Sequence, residues 1–239
     1  MMKISFGGRR SAVGGRIYEG ERTLSNSHVS ALAHHFTDMD QQNEANTLGM
    51  WIFLATEVMF FGGMFLAYIV YRGAYYREFA EASHHLDIVL STINTVALLC
   101  SSLTMALAVR STQLGKRRTI ILFLFLTLLL GLTFLGIKGL EYYHKYEDHL
   151  IPGSGFLWEG EANPAYAQLF FVLYFVMTGF HALHMVIGAG VVTYFIIRVW
   201  QGAFPPEKYV PVEMMGLYWH FVDIVWVFLF PLLYLIGQH

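Results

Sequence analysis

Long apolar runs alternate with short polar segments along this chain, and within the runs there is no two-residue alternation. Five runs are long enough to cross a bilayer as helices, which takes about 20 residues. They cover residues 48–71, 87–109, 119–138, 166–197 and 213–236. Their continuity argues against a β-barrel, whose strands alternate apolar and polar positions. The predicted fold is therefore all-α and integral to the membrane: a five-transmembrane-helix bundle over residues 47–239. The fourth run exceeds what a bilayer needs and should tilt or protrude. Residues 1–29 are polar and carry Gly7-Gly8 and Gly14-Gly15. They hold no apolar stretch of the kind a cleavable signal needs and read as a flexible tail. Residues 30–46 read as a short interfacial helix leading into the first span.

Composition agrees with this pattern. Of 239 residues, 56% are hydrophobic and 13% charged, whereas a soluble domain carries about 25% charge. Disorder is excluded by the same surplus of apolar surface. A net charge of -2 argues against a nucleic-acid partner. The single cysteine, Cys100, excludes a disulfide framework, a thiolate zinc site and a two-cysteine copper site. Lying inside a span, it is expected to be buried and inert.

Charge placement predicts the orientation. Lys3, Arg9, Arg10, Arg16, Arg22, Arg110, Lys116, Arg117, Arg118, Arg198 and Lys208 fall on one side, eleven of the 15 cations. Arg72, Arg77, Lys138 and Lys145 fall on the other. The positive-inside rule then puts the N-terminus in the cytoplasm and the C-terminus outside.

Ionisable residues at membrane depth are costly and are functional suspects by default. Glu57 lies nine residues into the first span and Asp223 ten into the fifth. At 1.5 Å per residue, each sits roughly 14–15 Å from the cytoplasmic end. His181 and His184 share a face of the fourth span, as His220 and Asp223 share one of the fifth. Glu57, His181, His184, His220 and Asp223 could thus converge in the interior. One reading of such a cluster is a metal site, since bundle-core di-metal proteins are built from these residue types. Another is a proton relay through Glu57. The third is interhelical hydrogen bonding, with Glu57 held neutral. No Glu-x-x-His pattern lies within this cluster to support the metal reading, and no sequence feature marks a haem gap.

The other polar positions read as structural. Ser91, Thr92, Asn94, Thr95, Ser101 and Ser102 form a stripe on the second span, and Gly131, Gly136, Gly139, Gly188 and Gly190 allow helices to approach. His34-His35 and His84-His85 lie outside the spans and read as solvated. The aromatics read as mostly lipid-facing, with Tyr142, Tyr143, Tyr166 and Trp200 as interface anchors.

Three runs carry a resemblance. They are Leu48-Gly49-Met50-Trp51-Ile52-Phe53-Leu54-Ala55-Thr56-Glu57-Val58-Met59-Phe60-Phe61, then Thr178-Gly179-Phe180-His181-Ala182-Leu183-His184-Met185-Val186-Ile187-Gly188, and Tyr218-Trp219-His220-Phe221-Val222-Asp223-Ile224-Val225-Trp226. Glu141-Tyr142-Tyr143 adds a weaker match. Together they resemble subunit III of the haem–copper oxidases, the cytochrome c oxidase subunit 3 family, over about residues 30–236.

The resemblance implies an accessory subunit with no catalytic, cofactor-binding or metal-binding residues. Haem and copper would reside in subunits I and II. This chain would pack against subunit I, bind phospholipid and support proton uptake and durability during aerobic turnover. Glu57 matches the family's intramembrane glutamate. His181, His184, His220 and Asp223 match bundle positions that are not metal ligands there. Unlike the seven-helix mitochondrial form, this chain lacks the first two helices, so the lipid cleft they help form is not expected. Five-helix versions resemble bacterial members, which implies the bacterial inner (plasma) membrane. They include quinol oxidase subunits and a relative from nitric oxide reductase systems, so quinol oxidase remains the alternative to cytochrome c oxidase. A stand-alone membrane metalloenzyme using the His/Asp/Glu cluster is the reading from another class. A transporter would call for an inverted repeat, and none is visible.

Overall fold

The computed structural model describes residues 39–201 and 210–235. The tail at 1–29, most of the segment at 30–46 with His34 and His35, and Lys208 lie outside the described residues. Every regular element among the described residues is an α-helix: α1 (Met39–Ala74), α2 (Tyr76–Ser83), α3 (Ile88–Gln113), α4 (Arg117–Glu147), α5 (Pro164–Trp200) and α6 (Val210–Tyr234). The chain divides into two compact units at residues 50 and 51. In the first, the described residues 39–50 are helical. The second holds the rest.

All five predicted spans are present, and their ends follow local chemistry. Asp87 caps α3, its carboxylate accepting from the Leu90 N–H at 3.0 Å. Asn163 caps α5 ahead of Pro164, whose missing N–H costs nothing at a helix start. Gly115, at φ 66°, ends α3 in the left-handed conformation, and the Lys116 N–H returns to the Ser111 carbonyl. The third span was expected to stop at residue 138, where charge begins. Instead α4 runs on to Glu147, because the charges at its far end are paired inside the protein. α5, at 37 residues, is about 55 Å long, as its apolar length implied. The short helix α2 was not foreseen. It docks on α5 by burying Phe79 and Ala82, with Phe79 edge-on to Phe170 at 5.5 Å.

Helices α3, α4, α5 and α6 form a closed ring, each packed on its sequence neighbour and α6 back on α3. The ring's core is aromatic. Trp219, Trp226, Tyr174, Tyr234, Phe134, Phe170 and Phe171 are fully buried, whereas Trp51, Phe60, Phe125, Tyr194 and Phe228 are exposed, so the expectation that aromatics mostly face lipid holds for part of them. Of the four anchors, Tyr143 and Trp200 are exposed, Tyr142 turns inward to Thr178 at 2.6 Å, and Tyr166 stacks on Tyr75. Cys100 is exposed rather than buried. Leu98 and Ser101 turn into the ring, and the 3.6-residue period carries position 100 to the outer flank.

Glycine matters at selected places. A Cβ on Gly131 would come within 2.9 Å of the Trp219 ring, and one on Gly188 within 3.1 Å. Trp219 thus lies between two helices that can approach because both carry glycine there. Gly136, Gly139 and Gly190 face open space.

Candidate functional site

The polar stripe on α3 is the ring's hydrogen-bonding seam. The Trp219 indole donates to Ser101 Oγ at 2.8 Å, the Trp226 indole to Thr95 Oγ1 at 3.0 Å, and the Asn94 amide to the Phe134 carbonyl at 3.3 Å. Thr104 and Thr127 meet at 2.7 Å between α3 and α4. In an apolar medium these bonds set the rotation of each helix about its own axis.

The five residues expected to converge do not form one cluster: Glu57 meets His184, His220 and Asp223 lie beside Ser102, and His181 stands apart. Glu57 Oε2 lies 3.1 Å from His184 Nε2, linking α1 to α5. The other ring nitrogen of His184 faces the Phe180 carbonyl at 2.8 Å, and the Tyr218 hydroxyl donates to the His184 carbonyl at 2.9 Å. His220 Nδ1 meets Ser102 Oγ at 2.7 Å. Its ring lines an apolar groove of about 320 Å³ with Val109, Leu217 and Gly216, and Glu213 also lines it. Asp223 is buried beside Ser102, and neither carboxyl oxygen has a partner of hydrogen-bonding geometry. His181 is fully buried between Phe134, edge-on at 5.4 Å, and Trp226 at 5.1 Å, with neither ring nitrogen hydrogen-bonded. Among the described residues no three His, Cys, Asp or Glu side chains gather as metal ligands would.

The best-organised polar centre was missed by sequence reasoning. Lys138, counted among the outer cations, is buried on α4. Its ammonium donates to Glu141 Oε2 at 3.0 Å, to the Tyr174 hydroxyl at 3.1 Å and to the Tyr234 hydroxyl at 2.8 Å. Those three bonds use all its donors. Both tyrosines in turn donate to Glu141 Oε1, at 2.8 and 2.6 Å. The ammonium also lies 5.0–5.5 Å from the ring centroids of Tyr142, Tyr174, Trp226 and Tyr234, within cation–π range. The network joins α4, α5 and α6. Its sequence signal was the i, i+3 spacing of Lys138 and Glu141 on a helix that had not yet ended.

Lys145 was also counted outside, and it too is buried. It donates to the His85 carbonyl at 2.6 Å and lies 3.7 Å from Asp148. His84 and His85 are exposed. The His85 ring rests edge-on against Trp158 at 5.0 Å. Partial burial and the Lys145 ammonium hold its pKa below the ordinary 6.5.

Comparison with known proteins meets this architecture from the other direction. The family described as Cytochrome c oxidase subunit III matches residues 27–238. "Cytochrome c oxidase subunit 3" of Corynebacterium diphtheriae is 32% identical over 192 residues, covering 80% of this chain and 87% of that protein. "Quinol oxidase subunit 3" of Bacillus subtilis is 30% identical over 207 residues, covering 83% of this chain and 92% of that protein. "Probable quinol oxidase subunit 3" of Staphylococcus haemolyticus is 30% identical over 199 residues, with 82% and 92% coverage. A match over nearly the whole length, on a chain with five helices long and apolar enough to span a membrane, makes this multi-pass protein a member of the cytochrome c oxidase subunit III family.

Proposed function

We propose that the chain is the accessory subunit III of a proton-pumping haem–copper terminal oxidase. In this reading it packs against subunit I, contacts lipid and sustains proton uptake there, and carries no redox centre of its own. The observation that carries the reading is the family match across residues 27–238. The arrangement of the polar groups supports it: the ring's strongest polar centre is spent on joining its own helices. Electrons would come from cytochrome c. A quinol donor is the second reading, favoured by the relatives named as quinol oxidase subunits. A copper-binding domain in the neighbouring subunit decides for cytochrome c.

The chain would sit in the bacterial plasma membrane with its N-terminus in the cytoplasm. Burial of Lys138 and Lys145 leaves only Arg72 and Arg77 of the four opposing cations in play, which strengthens the charge bias.

The test is deletion of the subunit followed by oxygen consumption over many turnovers at several pH values. The complex lacking it should start near its normal rate in acid. It should then lose activity progressively, and slow more steeply than the complete complex as pH rises. Zero initial activity with intact haem and copper centres would mean that this chain does chemistry. One stoichiometric metal per separated chain, lost in His181→Ala or His220→Ala, would also overturn the accessory role.

A further inference from the structure

We infer that Glu57 and His184 together form a one-proton site, and that its proton fastens the first span to the bundle. The inference stands on the geometry of the pair and not on the oxidase reading. His184 Nδ1 faces the Phe180 carbonyl at 2.8 Å. A carbonyl only accepts, so Nδ1 carries a hydrogen. The other nitrogen, Nε2, lies 3.1 Å from Glu57 Oε2. That contact needs one proton between its two atoms. Either the ring is an imidazolium facing a carboxylate, or it is a neutral imidazole accepting from a carboxylic acid. Both forms are neutral overall and hold the same number of protons, and neutrality is what an apolar setting favours.

Removing the shared proton leaves a carboxylate against a nitrogen lone pair, and the contact becomes repulsive. Adding a second proton leaves an imidazolium donating to a carboxyl oxygen, so the bond persists in weaker form. The tether therefore fails on one side only, as pH rises.

Its failure matters because of where it lies. Only 11% of the apolar stretch of the first span is buried, against 50% for α6. Glu57–His184 is the one side-chain hydrogen bond described between residues 51–74 and α5. What remains there is aromatic contact, such as Phe60 on Phe180 at 5.0 Å and Phe61 on the His184 ring at 5.3 Å. The titratable neighbours are Tyr218 of α6, close enough to feel the Glu57 charge, and His181 one turn along α5. Neither reaches the Nε2–Oε2 contact itself.

The test uses the assembled complex in lipid nanodiscs, with isotope-labelled glutamate and histidine. Infrared spectra are recorded across a pH titration for the wild type, Glu57→Gln and His184→Gln. On the alkaline side, where the shared proton leaves, the carboxyl band lost in Glu57→Gln and the ring band lost in His184→Gln should shift in the same step, one by losing the proton and the other by losing its partner. Above that step, amide exchange over residues 55–68, referenced to α4 of the same sample, should rise about tenfold in the wild type, the scale of one charge-assisted hydrogen bond. In Glu57→Gln the amide donates to Nε2 without needing the proton, so the ratio should stay flat. Should His184→Gln fail to assemble, histidine labelling alone assigns the ring band. An alkaline step that moves one of the two bands and leaves the other unchanged, or an exchange ratio equally pH-dependent in Glu57→Gln, would overturn the inference.

Discussion

Two acid–base pairs in this protein are made of similar chemistry and behave differently. Lys138–Glu141 sits inside the ring of α3–α6, and every donor of the ammonium is taken. Glu57–His184 sits where the first span meets the ring. Its side chains keep 18% and 13% exposure, and one proton fixes its geometry. The first pair is closed by two tyrosines that bind both of its members. The second has no such bracket. A buried pair becomes rigid when its remaining lone pairs and protons are satisfied by the fold, and stays responsive when they are not.

The largest expected effect breaks the closed pair. Lys138→Met leaves Glu141 and two tyrosine hydroxyls buried without their cation, at a cost of about 3–5 kcal/mol. Thermal unfolding of the purified complex, and its yield, should fall sharply. Lys138→Met combined with Glu141→Leu should recover most of the loss. If the double variant is as unstable as the single one, the closed network does more than balance charge.

Packing separates the two regions next. Gly131→Ala pushes a methyl into the locked Trp219 ring and should cost about 1–3 kcal/mol. Gly62→Ala on the first span meets nothing within 4 Å and should be neutral or slightly stabilising, since alanine is the better helix former. Equal effects at both positions would contradict the contrast between a tight ring and an open first span.

A smaller effect is expected at the responsive pair near neutral pH. Glu57→Gln should assemble and keep much of its turnover, because the amide preserves the contact. Collapse of proton pumping in an assembled Glu57→Gln complex would instead assign Glu57 a step in proton transfer.

The smallest effect lies at the outer end. The fold holds the His85 pKa below 6.5, so it favours the neutral ring. That contribution is complete above pH 6.5 and fades as pH falls through the lowered value. Hydrogen exchange over residues 148–163 should therefore be slightly less protected at about pH 5 than at about pH 7.5. The difference should vanish in His85→Asn.

Much of the site was legible as a list of residues and little of it as an arrangement. The expectation gathered Glu57, His181, His184, His220 and Asp223, yet only Glu57 and His184 bond to each other. His220 turns to Ser102, and His181 is wrapped by Phe134 and Trp226. Lys138 was read as the outer end of the third span because a charge usually marks where a span stops. The partners that let it stay inside, Tyr174 and Tyr234, lie 36 and 96 residues away.

The division has a physical cause. The sequence determined the number of spans, their approximate limits and the family, because twenty apolar residues in a row have one economical fate in a bilayer. Apart from the polar stripe on α3, it could not determine which face of a helix looks inward. In a soluble protein the polar face marks the outside, but lipid is as apolar as a core, and apart from α3 apolar residues surround most of each span. Rotation about each axis was left to the tertiary structure. It was decided by a few long-range contacts: Trp219 between Gly131 and Gly188, two indoles on the α3 hydroxyls, and Lys138 among Glu141, Tyr174 and Tyr234.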